Sequence, residues 1–263
     1  MGSPKIEKQW PLRDIRYFEC PAIIGAAEPY DHAGTLFHVT PSMDAWARRF
    51  ASMCRERDVS IGHAHHLYIW LTPALRDGEI RPSEFQQEHW QRWVMCGLPK
   101  TFNRLNEQGR RARLQRVTIE SVAAIAPESK SILEELTGIL DRFGERLEIT
   151  LKQKETRKYR IVVGHTIPTW PKPSEVWMTL TEGSTGRVAR CKLIETQSDE
   201  DAMFLVGRIC LVKGDIVVHP RSSFDGDYCA RKYNLSRFVV PIEPLLHGRT
   251  QGRTHRAYRS RAR

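Results

Sequence analysis

The apolar residues of this chain change period along its length. From Pro41 to Arg57, Met43, Trp46, Phe50, Met53 and Cys54 recur at steps of three and four, one buried stripe of a helix. From Leu147 onward, Leu147, Ile149 and Leu151 alternate with Glu148, Thr150 and Lys152, the period of a half-buried strand. The two regimes call for different packing, and 263 residues suffice for two domains of ordinary size. We therefore expect an α+β protein: a mixed domain over 1–143, an antiparallel β-rich domain (sheet or small barrel) over 144–246, and an arginine-rich disordered tail over 247–263.

Within the first part, Arg16 to Ile24 reads as a strand bounded by Pro21, and Thr40 before Pro41 supplies a helix N-cap followed by proline in the first turn. His66 to Leu71 reads as a second strand. Ser83 with Gln86 has the pattern of a capping box, so Phe85, Trp90, Trp93 and Val94 are expected on the apolar side of a helix that ends at Gly97-Leu98-Pro99. The second half of Arg110 to Glu120 alternates as a strand, and Ser131 to Phe143 reads as a further helix. In the second part, strands are expected over 159–163, 176–181, 187–194, 204–212, 215–219 and 238–240, with turns such as Lys213-Gly214-Asp215 between them and a short helix over 227–233.

No apolar run approaches the ~20 residues that cross a bilayer, so no membrane partner is expected. The six cysteines, at 20, 54, 96, 191, 210 and 229, form no short metal-binding spacing. They read as small buried hydrophobes of a cytoplasmic protein, and neither a metal nor a cofactor is assigned.

Three of the ten histidines fall in the stretch Ser60-Ile-Gly-His-Ala-His-His-Leu-Tyr-Ile-Trp70. If the strand runs straight from Ile61, then Ile61, His63, His65, Leu67, Ile69 and Leu71 share one face. His66 shares the opposite face with Tyr68 and Trp70, an aromatic surface suited to bordering a cleft. On this reading His63 and His65 continue the aliphatic row as structural imidazoles, and His66 is the first candidate for chemistry. Histidine titrates near neutral pH, so His66, His63 and His65 are candidates for metal-independent general acid–base cleavage of RNA.

The His63-Ala-His65 strand resembles the metal-binding motif of the HUH nucleases, although Ala64 stands where that family has a bulky hydrophobe; the resemblance would make Tyr228 or Tyr233 the nucleophile. A second likeness begins at Thr35-Leu-Phe-His-Val-Thr-Pro41, passes through a helix, and ends at His66-Leu-Tyr-Ile-Trp-Leu-Thr-Pro73. This order resembles the ADP-ribosyltransferases of the His-Tyr-Glu type. It implies a nicotinamide dinucleotide held by His38 and Tyr68, with Glu175 stabilising charge at the ribose.

Charge points elsewhere. Lys and Arg number 41 against 31 Asp and Glu, a formal net charge of +10. The last seventeen residues carry six Arg and no acid, which leaves 35 basic against 31 acidic residues in the body. Lys100, Arg104, Arg110, Arg111, Arg113 and Arg116 form one basic run; Lys152, Lys154, Arg157 and Lys158, with Arg160, form another; Arg249, Arg253, Arg256 and Arg259 mark the tail. Such clusters neutralise phosphates without reading base sequence, and Tyr159 and Tyr258 are placed to stack on unpaired bases. An arginine-rich tail that cannot build a core suits RNA more than duplex DNA, for which no helix-turn-helix or zinc-finger pattern is present. The leading expectation is an RNA- or single-strand-binding protein. The alternatives are the transferase and a non-enzymatic adaptor or inhibitor that meets an acidic protein.

Overall fold

The computed structural model describes residues 9–23 and 31–248. The fold is α+β, and the chain divides into two compact units at Gly144/Glu145.

The first unit contains β1 (Asp14–Glu19), β2 (Asp31–His32), α1 (Pro41–Glu56), β3 (His66–Thr72), β4 (Ile80–Pro82), β5 (Gln91–Gly97), α2 (Glu107–Ile125) and α3 (Lys130–Phe143). Its sheet has the order β2-β1-β3-β5-β4. The central strands β1, β3 and β5 run parallel, while β2 and β4 are antiparallel edges. A parallel sheet is normally covered on both faces, and β3 shows why its sequence is apolar throughout. Leu67, Ile69 and Leu71 are buried on one face, the side on which Tyr17 of β1 hydrogen-bonds Thr118 of α2 at 2.7 Å. Tyr68 and Trp70 are buried on the other with Phe18, Trp93 and Met95, covered by Ala22, Phe85 and Trp90. The aromatic face expected to border a cleft is therefore the inside of a second packed layer.

Two expectations fail here, each for a physical reason. Residues 83–94 are not a helix: they run irregularly to Trp90 and then enter β5. Ser83 Oγ accepts from the Phe85 N–H, a local turn that mimics a capping signal. The run Trp93-Val-Met-Cys96 is buried on both sides, as a central strand requires. Conversely, the expected strand after Arg113 is the middle of α2. Leu114, Val117, Thr118, Ser121 and Val122 form its buried stripe, and two hydroxyl residues in that stripe conceal its period. Asn106 caps the helix by accepting from the Gly109 N–H at 2.8 Å.

The second unit holds β6 (Glu148–Glu155), β7 (Tyr159–Thr166), β8 (Ser174–Glu182), β9 (Val188–Thr196), α4 (Asp199–Leu205), β10 (Arg208–Val212), β11 (Asp215–His219), α5 (Phe224–Lys232), β12 (Phe238–Pro241) and α6 (Ile242–Leu246). It contains two antiparallel sheets, β6-β7-β8-β9 and β10-β11-β12. Alternate residues of both, including Ile161, Val163, Met178, Leu180, Ile216, Val218 and Val240, meet in one core with Leu205, Cys229 and Leu245 from the helices. Phe204 and Leu205, expected to begin a strand, close α4 instead.

Candidate nucleic-acid interface

The histidine stretch does not run straight. Ile61 and Ala64 are bridged across a turn in which Gly62 takes φ 89°, so His63 is exposed at the tip and the strand starts only at His66. The parity that put His63 with the aliphatic row is broken by this turn. The N–H groups of His65 and His66 both donate to the Trp90 carbonyl at 3.1 Å. Their rings lie 4.5 Å apart between centroids, with Trp90 4.8 Å from His66. Asp14, His66 and Gln91 are register partners, so this cluster sits at the N-terminal ends of the parallel strands. Ligands of parallel α/β sheets gather at the opposite ends. Burial, only partly offset by Asp14, pushes the His66 pKa down to about 4. At neutral pH the ring is therefore uncharged and a weaker base than free imidazole. Among the described residues, no group of three His, Cys, Asp or Glu side chains is arranged to hold a metal ion.

The residues suggested by the ADP-ribosyltransferase likeness fall in both units. His38 is exposed on a loop whose shape is set by Glu19: its buried carboxylate accepts from the N–H groups of Gly34, Thr35, Leu36 and Phe37 at 2.6–3.0 Å. The His38 N–H donates to Asn103 Oδ1 at 2.9 Å. Tyr68 is packed between Phe18 and Trp93, with ring centroids 4.8 and 4.9 Å away. Glu175, on β8 of the second unit, accepts from Lys192 at 2.7 Å and Trp177 Nε1 at 3.0 Å. The bonded Lys192 ammonium holds its carboxyl below the usual range.

Most of the first basic run is engaged inside its own unit. Arg110 donates to the Leu105 carbonyl at 2.8 Å, Arg113 pairs with Asp77, and Arg116 pairs with Glu120 at 2.7 Å, one turn on. With the Gln115 amide turned so that its oxygen faces both donors, Arg111 Nε and Trp46 Nε1 donate to it at 3.2 and 2.9 Å. Lys100 and Arg104 are exposed on a 3-10 turn before α2. In the second run Lys154 donates to the Ile209 carbonyl at 3.2 Å and Arg160 reaches Gln153, while Arg157 and Lys158 are exposed at the β6–β7 turn. Tyr159 is half-buried against the core. Arg249, Arg253, Arg256, Arg259 and Tyr258 lie outside the described residues.

One predicted cation, Lys152, belongs to a larger feature. A cleft of about 1050 Å³ opens in the second unit, and Lys152, Arg208, His219, Arg221 and Arg231 line it against a single acid, Asp227. The β6 register shifts between Thr150 and Lys152, and this bulge lets Leu151 and Lys152 both reach the cleft. Arg208 and His219 are register partners on β10 and β11. Extending the β11–β12 register by one residue sets Arg237 on the other side of His219. Burial first, then Arg208 and Arg237, push the His219 pKa below its ordinary value. The imidazole thus registers the positive potential of the site. Among the described residues, Lys152, Arg208, Arg221 and Arg231 have no ion-pair partner.

Two glycines hold Arg221 in place. The Gly207 N–H donates to the His219 carbonyl at 2.7 Å, and a Cβ at Gly207 would lie 2.6 Å from the Pro220 carbonyl oxygen. A Cβ at Gly226, on α5, would lie 2.0 Å from the Arg221 carbonyl oxygen. The segment from His219 to Arg221 is thereby clamped between the start of β10 and the inner face of α5. The Arg221 N–H donates to the Phe204 carbonyl at 2.8 Å, and its guanidinium lies 5.9 Å from the Phe204 ring centroid.

Sequence reasoning missed Arg208, His219, Arg221 and Arg231 because they come from different elements and form no run. The available signal was local: Gly207 directly precedes β10, and Gly226 stands inside the first turn of α5, where a helix gains nothing from glycine. No protein-family model, curated protein or solved structure matches this chain.

Proposed function

We propose that this chain binds RNA or another single-stranded nucleic acid, with the basic cleft of the second unit as its phosphate-binding site. One observation carries the reading: four permanent cations converge on one concave site with one acid among them and no ion-pair partner of their own among the described residues. Cations left in that state repel one another unless an anion joins them, and a strand of phosphates supplies several at once. The exposed Arg157 and Lys158 at the β6–β7 turn would extend the path beyond Lys152. Binding rather than cleavage is the activity favoured, because the His66 proton is lost well below neutral pH.

Action in a reducing compartment belongs to the same proposal. None of the six cysteines is in a disulfide. Among the described residues, no helix is long and apolar enough to cross a membrane.

The test is a titration of the purified full chain into labelled oligonucleotides across a range of salt. The proposal expects log affinity to fall linearly with log salt, with a slope reporting about three or four released counterions on a single strand. Lys152→Ala with Arg208→Ala should flatten that slope by about 1.4. Binding that is absent, or indifferent to salt, would remove the proposal.

A further inference from the structure

Beside the cleft, the outer face of α5 carries two aromatic rings that the fold does not use. Phe224 is 80% exposed and Tyr228 is 55% exposed. The inner face of this nine-residue helix is fixed by Gly226, pressed on the Arg221 backbone, and by Cys229, buried against Asp201. Lys232 and Tyr233 also bind Asp201, at 2.8 and 2.7 Å, so the helix has no freedom to roll its rings inward. Phe224, Tyr228 and Arg231 stand at i, i+4 and i+7 along one stripe, and Arg231 lines the cleft. Two neighbouring aromatic rings held outside the core beside a basic cleft mark a contact surface.

From this juxtaposition we propose that Phe224 and Tyr228 form a base-stacking ledge, on which two unpaired bases lie while their phosphates occupy the adjoining cleft. The inference rests on the nucleic-acid reading above and specifies how that site selects its ligand. Four helical residues rise about 6 Å, against about 3.4 Å per nucleotide in a duplex strand. The ledge therefore suits bases splayed from one another, and a duplex offers it none. The cations supply complementarity to the backbone, and the rings accept any base, because every base has a π-face. The expected ligand is a single strand recognised with little sequence preference.

The experiment measures binding of the full chain to oligouridylate, oligothymidylate and a blunt duplex of equal length, at one moderate salt concentration and then across salt. The wild type is expected to favour the single strands over the duplex. Phe224→Ala with Tyr228→Ala should weaken single-strand binding about tenfold or more, leave duplex binding and the salt slope unchanged, and leave the melting temperature unchanged because both rings are exposed. Tyr228→Phe, which keeps the ring, should retain the wild-type affinity.

Salt-dependent binding that ignores the loss of both rings overturns the ledge while leaving the nucleic-acid reading intact; binding that is equal for duplex and single strand overturns the ledge and, with it, the single-strand preference, leaving only phosphate binding by the cleft. Absence of binding to every oligonucleotide overturns both. Polyglutamate serves as the comparison polyanion: if it binds and the single strands do not, the site receives an acidic protein instead.

Discussion

The two units of this molecule treat their charged and polar groups in opposite ways. In the first, the groups singled out by charge are bonded within the unit: the Glu19 carboxylate gathers four backbone N–H groups, and Arg110, Arg111, Arg113 and Arg116 each meet an oxygen of their own unit. In the second, Lys152, Arg208, Arg221 and Arg231 converge on a cleft with no ion-pair partner among the described residues. The density of basic residues along the chain points to the first group; their convergence in space singles out the second. A run of arginines on a helix readily finds acids one turn away, so charge density alone does not identify a free binding surface.

Substitutions can break or sharpen this contrast. The largest effect is expected at Glu19. Glu19→Ala strips four N–H groups of their acceptor and should destabilise the first unit by about 4 kcal/mol, read by chemical denaturation, with oligonucleotide affinity unchanged wherever the chain stays folded. Next comes Gly226→Ala, whose methyl must displace the Arg221 backbone. A loss of about 2–3 kcal/mol in the second unit is expected, together with weaker binding, because the clamp that positions Arg221 is disturbed.

A smaller effect follows from His66. Its folded pKa of about 4 lies below the ordinary value of 6.5, so the unfolded chain takes up the proton first as the solution is acidified. Stability should decline as pH falls from about 6.5 to about 4, by on the order of 2 kcal/mol after allowance for solvent screening, and then lose this dependence. His66→Gln should flatten the denaturation midpoint over that window. Smallest of all, Arg116→Ala removes an exposed i,i+4 pair that solvent screens, and the denaturation midpoint should stay where it is in the wild type.

The same contrast explains what was legible in the sequence. The α+β class, α1 with Pro41 in its first turn, α3, and the strands of the second unit were readable because their apolar periods are regular. Trp93 to Cys96 were misread because a strand buried on both faces has no alternation, and Ser83 imitates a helix cap. The stripe of α2 was hidden by Thr118 and Ser121, which are buried but polar. At the level of the site, Lys152 was named from its neighbours in the chain. Arg208, Arg221 and Arg231 lie on separate elements that only the tertiary packing around Gly207 and Gly226 draws together. Phe224 escaped notice, and Tyr228 was named only as a nucleophile under the HUH likeness, because an exposed aromatic cannot be told from a buried one until the inner face of α5 is known.

The most direct test of the account sets the two cationic regions against each other in one assay, the salt dependence of single-strand affinity. Arg208→Ala with Arg221→Ala should weaken binding more than tenfold and reduce the slope by about 1.4, whereas Arg113→Ala with Arg116→Ala should leave the slope where it was. The opposite pattern, with the α2 pair controlling the slope and the cleft pair silent, would contradict it.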